Sequence, residues 1–284
     1  IYGYNSLGDS LISAQRPDYS AWTYQMQDLV WLHPNIPDTG DYCGGSLFGS
    51  NVQTPHSGTI THPSGAVGTF TFVPTEHGRS NVVFACNPVA VPGPPPSTMW
   101  IQSHPKYFSS LALKSKVIAG PGLPAPLTWQ FDYGIASPSW AHECGVNCVT
   151  TKNVSITGPE KLVRYTFSTK YAESEGKLLK RETGVNAANI LATETMDYQW
   201  SAAGLAYPAW VGSSPMMRTD GMSGKQVPQR SSTIVQNGRS FSWYVAAADF
   251  DKFARPLKTT RTSNLSGASQ RVDKVEYHDD LGNW

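Results

Sequence analysis

The chain has 284 residues, a net charge of +1 and only 15% charged side chains, so no overall field attracts nucleic acid and no Lys/Arg stripe is present to meet phosphates. No stretch reaches the roughly 18 apolar residues of a membrane-spanning helix, and the opening IYGYNSLGDS lacks the charged and apolar regions of a signal peptide. With 25 Gly, 21 Pro and Trp, Tyr and Phe at 9, 13 and 10, the composition suits short strands joined by tight turns, and the expected class is all-β.

In chain order, Tyr2 and Tyr4 alternate, the chain turns at Asn5 to Gly8, runs through Leu11 and Ile12 to Arg16-Pro17-Asp18, and resumes with Trp22 and Tyr24. That spacing predicts three strands with two turns. Residues 38–49, DTGDYCGGSLFG, read as loop. Thr59-Ile60-Thr61, a Pro63-Ser64-Gly65 turn and Thr69-Phe70-Thr71-Phe72 form the clearest predicted hairpin. Nine prolines fall between Asn87 and Pro126, which bars most of that stretch from a central sheet; it reads as an insertion with one possible strand, Leu111 to Ile118. Alternation returns at Trp129, Phe131 and Tyr133, then at Val163, Tyr165 and Phe167 after a Gly158-Pro159 turn. Residues 187–199 have helical composition, but their alternation favours a strand. The expected organisation is therefore an N-terminal β-hairpin region, residues 1–86, a Pro-rich insertion, 87–126, and a C-terminal β-hairpin region, 127–284. The final YHDDLGNW reads as one hairpin arm and its turn, so its return strand is expected beyond Trp284.

The cysteines are Cys43, Cys86, Cys144 and Cys148. Sequence order favours disulfides Cys43 with Cys86 and Cys144 with Cys148; the rivals are free thiols, or zinc held by His142, Cys144 and Cys148. Of the histidines, His33, His62 and His104 precede proline, which suggests turns rather than a general base. The sequence around Ser46 fails the Gly-x-Ser-x-Gly elbow because Phe48 takes the last place. Asp249 and Asp251 are spaced to share a face on a strand, which would suit calcium or paired-carboxylate chemistry; capping of a turn is the favoured reading. No Gly-rich nucleotide motif is present. No catalytic residue, metal or cofactor is expected, and the chain is read as a non-enzyme. Trp22, Trp129 and Trp243 are the candidates for an aromatic platform that stacks on sugar rings, with burial within the fold as the alternative.

Four passages share a grammar of aromatics, a polar turn, Gly or a basic residue, and then an apolar run. They are Tyr2-x-Tyr4-Asn5 with Gly8 and Leu11; Tyr165-x-Phe167 with Gly176, Lys177 and Leu178; Trp243 and Asp249-Phe250-Asp251 with Arg255 and Leu257; and Tyr277-His278-Asp279 with Gly282. A hairpin of this kind cannot bury its own face and must stack on neighbours. The passages resemble the YD repeats of the bacterial RHS family, with Asn5 in place of Asp, Asp9 in place of Arg, Ala254 in place of Gly and Tyr19 in place of a final Gly. The resemblance implies a segment of a large secreted or surface-exposed bacterial protein whose hairpins wind into a β-shell or scaffold. Its turn residues would be Asn5, Gly8, Gly176, Asp251, Arg255, Asp279 and Gly282. The implied partners are the remaining repeats of the parent chain, an enclosed C-terminal toxin or a cell-surface glycan. An extracellular carbohydrate-binding or adhesion module is the alternative, and a β-rich hydrolase the third reading.

Overall fold

Alternating aromatics and β-branched residues, punctuated by Gly, Asn and Pro, produce an all-β chain of short antiparallel strands. The computed structural model describes residues 1–8, 10–26, 55–84, 86–91, 97–102, 106–145, 148–171, 173–202, 205–207 and 226–277. Cys43, Ser46, His33, His104, Asp279 and Gly282 lie outside these residues. The chain divides into two compact units, Ile1–Leu162 and Val163–Trp284.

In the first unit the strands are β1 (Tyr2–Tyr4), β2 (Leu11–Gln15), β3 (Ala21–Gln25), β4 (His56–Thr61), β5 (Val67–Gly78), β6 (Cys86–Val91), β7 (Ser97–Gln102), β8 (Tyr107–Ala119), β9 (Leu127–Asp132) and β10 (Thr151–Thr157). They meander in the order β1-β2-β3-β4-β5-β8-β9-β10, while β6 and β7 form a separate ribbon. The Pro-rich stretch thus keeps its ribbon out of the main sheet, as proline's missing donor requires. The strand expected within that stretch runs further than Leu111 to Ile118: it is β8, 13 residues long, paired with both β5 and β9. Pro74 is accommodated in β5 because β4 pairs with β5 only over Val67–Phe72. Beyond Phe72 one side of β5 has no β4 ladder for Pro74 to interrupt.

The second unit contains β11 (Leu162–Ser168), which starts at the boundary, then β12 (Leu178–Asn186), β13 (Asn189–Tyr198), β14 (Ser201–Ala202), β15 (Leu205–Ala206), β16 (Gln229–Gln236), β17 (Arg239–Tyr244), β18 (Lys258–Ser263) and β19 (Arg271–Lys274). Its order is β11-β12-β13-β16-β17-β18-β19, with β14 and β15 paired to each other. Within the ambiguous 187–199 segment Asn189–Tyr198 is strand, because Ala192–Tyr198 pair with Gln229–Gln236 and ladder bonds outweigh weak helical propensity. Asn237 and Gly238, both at positive φ (51° and 72°), make the two-residue turn between β16 and β17. Asp249 ends a short 3-10 turn, Ala247–Asp249, and Asp251 lies in the following turn. The two are therefore not strand neighbours on one face, and the paired-carboxylate geometry is not formed.

Three hairpin turns are built alike. In Arg16–Ser20, His62–Ala66 and Asp251–Arg255 the first N–H donates to the fifth carbonyl and the fourth N–H donates to the first carbonyl. The fourth residue is left-handed each time: Tyr19 at φ 66°, Gly65 at 86° and Ala254 at 65°. This is the type I turn followed by a left-handed residue that suits three-residue hairpin loops. A side chain caps each turn: Asp18 Oδ1 accepts from Ser20 N, His62 Nδ1 from Ser64 N, and Asp251 Oδ1 from Phe253 N and Arg255 N. The turn Asn5–Ser10 is one residue longer and puts Gly8 at φ 74°. In Ser168–Lys177 an insertion widens the same closure, with Gly176 at φ 76°. A left-handed non-glycine costs about 1–2 kcal/mol, partly offset by glycine's larger unfolded-state freedom. Ala254→Gly is accordingly expected to stabilise the protein by roughly 0.5–1 kcal/mol in urea unfolding.

Burial is sparse. Among the described residues Val82, Ala112, Trp140, Leu162, Tyr171, Tyr207, Val227, Val245 and Phe250 are the buried hydrophobics. In the first unit Val82 bridges to Trp140, and Phe84 meets the Trp140 ring edge-on at 5.1 Å. In the second, Tyr207, Val245 and Phe250 cluster with Trp243 and Ala254 packed against them.

Candidate functional site

Strand register gives the first unit two chemically distinct faces. Directly opposite residues share a face in an antiparallel sheet, so the pairs Tyr24↔Ile60, Ile60↔Gly68, Gly68↔Ile118 and Ile118↔Leu127 trace one row. Period two adds Trp22, Phe70, Trp129 and Phe131 to that face. The other face is chiefly hydroxyl and amide, carrying Ser13, Thr23, Gln25, Thr59, Thr61, Thr69, Thr71, Ser115, Thr128 and Gln130, with Val67 and Val117 among them. Hydroxyls cross-link it: Ser57 Oγ lies 2.8 Å from Thr71 Oγ1, and Thr59 Oγ1 donates to Gln25 Oε1 at 3.3 Å. On the aromatic face Gly68 is buried and every named side chain is half-buried. A second layer of the same molecule would bury such a row, as in a sandwich.

Within the first unit the structure does not gather Trp22 and Trp129 into one platform. Trp22 and Trp129 share the aromatic face but stand four strands apart, about 19 Å at ordinary strand spacing. The Trp22 ring meets His62 edge-on at 4.4 Å. Lys116, directly cross-strand, places its ammonium 3.8 Å from the Trp129 ring centre, and Gly158 is so close that an added Cβ would fall 2.8 Å from the indole Cδ1. Trp243, in the other unit, packs against the Tyr207–Val245–Phe250 cluster.

Cys144 and Cys148 form a disulfide with Cα atoms 5.2 Å apart, and Ser139 Oγ contacts both sulfurs at 3.2 and 3.0 Å. The zinc alternative fails here because the thiolates it needs are bonded to each other; the His142 ring instead meets Phe84 at 5.7 Å. Cys86 begins β6, and its expected partner Cys43 lies outside the described residues. No group of three or more His, Cys, Asp or Glu with metal-binding geometry occurs among the described residues. No helix among them is long and apolar enough to cross a membrane.

One constellation has the outline of a nucleophilic triad. His77 Nε2 lies 2.8 Å from Ser110 Oγ, and Lys152 Nζ lies 3.1 Å from His77 Nδ1 and donates to the Glu76 carbonyl at 3.2 Å. An ammonium only donates, so Nδ1 must accept and the imidazole proton sits on Nε2, pointing at the serine. A general base needs the reverse tautomer, with Nε2 free to take the serine proton. Burial and then the Lys152 charge depress the His77 pKa to about 4, and burial lowers that of Lys152 against the opposing pull of Asp132. The trio is a strut between β5, β8 and β10 rather than a serine-activating device. No sequence signal announced it, since 75 residues separate Lys152 from His77; only β5 pairing with β8 brings His77 to Ser110.

The strut predicts a pH dependence. His77 is neutral in the folded chain down to about pH 4, whereas unfolded histidine takes a proton near pH 6.5. The unfolded state therefore binds more protons across that window, and stability falls as pH drops from about 6.5 to 4. His77→Gln is expected to flatten this slope by about 1 kcal/mol, after discounting for the ring's partial exposure, in denaturant midpoints measured across the window.

No protein-family model matches the chain, and no curated protein matches it.

Proposed function

We propose that the chain is a non-enzymatic β-hairpin segment of an RHS-like, YD-repeat extracellular protein, contributing strands to a shell or scaffold that encloses cargo such as a toxin or presents a contact surface to other cells. The recurrent turn carries this reading. Asn5, Ser168 and Asp251 each open a turn that closes just after a left-handed residue, namely Gly8, Gly176 and Ala254. Tyr19 also keeps the left-handed backbone of the glycine it replaces in the repeat pattern. The half-buried aromatic face adds a physical motive: apolar surface left in contact with water favours association with further strands or cargo.

An extracellular carbohydrate-binding or adhesion module is the second reading, favoured by the half-exposed Trp22 beside His62. Two measurements separate the readings. A scaffold segment should bind 8-anilinonaphthalene-1-sulfonate, associate as concentration rises in light scattering, and show no tryptophan emission shift across a panel of neutral and acidic oligosaccharides. A saturable shift abolished by Trp22→Ala would replace the scaffold reading with the carbohydrate one. Failure to bind the dye, with a monomer at every concentration, would remove the scaffold reading's physical basis.

A further inference from the structure

The second unit contains a hollow of about 460 Å³ lined by Lys177, Val227, Pro228, Phe253, Arg255 and Tyr277, among others. Its walls are chiefly ring and aliphatic carbon, and its volume falls within the range of small-molecule sites. Two turns build it. Lys177 closes the Ser168–Lys177 turn, with its backbone held by Ser168 N donating to the Lys177 carbonyl at 2.9 Å and Lys177 N donating to Ser174 O at 2.9 Å. Phe253 and Arg255 belong to the Asp251–Arg255 turn, and Tyr277 is tied to that turn by its hydroxyl, which donates to the Pro256 carbonyl at 3.2 Å.

The two cations of this hollow differ in commitment. Arg255 Nε donates to Asp251 Oδ2 at 2.6 Å, and its guanidinium lies 5.1 Å from the Phe253 ring centre and 4.2 Å from that of Tyr277. That charge is balanced, and the stacking fixes the two aromatic walls. Lys177 Nζ donates to the Val227 carbonyl at 3.2 Å and lies 5.4 Å from the Tyr198 ring centre. No carboxylate comes within ion-pair distance of it among the described residues. Burial lowers its pKa. An ammonium has three donors, and a charge held in apolar surroundings without an opposite charge is costly.

We infer that this hollow binds a small aromatic monocarboxylate, with Lys177 meeting the carboxylate and Phe253 and Tyr277 receiving the ring. Among the described residues Lys177 is the lining cation that no carboxylate pairs, and its one positive charge matches one negative charge. A phosphate dianion would call for a second lining cation, and Arg255 is held by Asp251 while Lys252, its ammonium 4.9 Å from the Phe253 ring centre, does not line the hollow. The apolar walls favour a ligand with a ring over a wholly polar one, and the site is independent of the scaffold reading.

The test is calorimetric titration of the full chain with 3-phenylpropionate and with its neutral isostere, 3-phenylpropionamide. The carboxylate should bind saturably and the amide at least about tenfold more weakly, a difference of about 1.4 kcal/mol. Lys177→Met should reduce carboxylate affinity by about the same factor, and Lys177→Arg should recover most of it. Thermal melts of both variants report whether the turn still closes, and the acid-to-amide comparison on the unaltered chain does not depend on them. Equal binding of acid and amide, full affinity in a folded Lys177→Met variant, or no saturation by about 10 mM carboxylate would overturn the inference.

Discussion

Gly184→Ala is expected to destabilise the protein by about 3 kcal/mol, near the upper end for overpacking. Gly184 lies in β12 where the register with β13 shifts on both sides of it, from Thr183 to Gly184 and from Gly184 to Asn186. A Cβ there would fall 2.2 Å from the Asn189 carbonyl oxygen and 2.8 Å from the Ile190 Cα. Both are backbone atoms, so no rotamer change relieves the overlap and the hairpin itself must open. Relief would pull on the turn in which Asn186 Oδ1 accepts from the N–H groups of Ala188 and Asn189, both at 3.0 Å. Gly238→Ala is the control: its φ is +72° but nothing lies within 4 Å of an added Cβ. That change should cost only about 1 kcal/mol of backbone strain. Urea unfolding of both variants checks the contrast, and equal losses would mean that backbone conformation alone, not the bulge contact, governs β12.

Asp251→Ala is the second large effect, a loss of about 2–3 kcal/mol. One carboxylate accepts from Phe253 N at 2.9 Å, Arg255 N at 2.8 Å and Arg255 Nε at 2.6 Å, and its side chain is only 14% exposed. Removing it leaves two turn N–H groups and a stacked guanidinium without their acceptor. Asp251→Asn keeps an oxygen for the backbone donors, the role Asn5 Oδ1 has in the first turn by accepting from Ser10 N at 3.3 Å, and should retain about half of that contribution. The two changes also separate in acid. Burial raises the Asp251 pKa, but hydrogen bonds from Arg255 and Phe253 and the Arg255 charge outweigh it, so the folded pKa lies below the usual aspartate value. The stabilisation is therefore full above the unfolded aspartate pKa and is lost as pH falls through the folded one. Asp251→Asn should lack that acid limb, which denaturant midpoints measured below about pH 4 would show.

Much of this architecture is legible in the sequence, because strands and turns are local phenomena. Period-two aromatics placed the strands at Trp22, Phe70, Trp129 and Phe167, and Pro, Gly and Asn placed the turns between them. The favoured capping role of Asp251 follows from the same short-range chemistry, since its three donors lie within four residues. The long reach of β8 was less legible, because nearby prolines masked a segment whose strand character depends on two flanking partners, β5 and β9.

Contacts between distant residues had no local signature. His77, Ser110 and Lys152 look like unrelated polar residues until β5, β8 and β10 align, and Lys177 and Arg255 meet across one hollow only because two turns 74 and more residues apart converge. The same holds for tryptophan: spacing told which face Trp22 and Trp129 occupy, but the contacts with His62, Lys116 and Gly158 came from neighbouring strands and turns. By itself the sequence determined strands, turns and the separation of an aromatic from a hydroxyl face, since these follow from dihedral preference and side-chain alternation along the backbone. Tertiary structure alone decided which titratable groups touch, which rings remain half-exposed and which cation, among the described residues, meets a carbonyl rather than a carboxylate, because pairing register converts distance along the chain into contact in space.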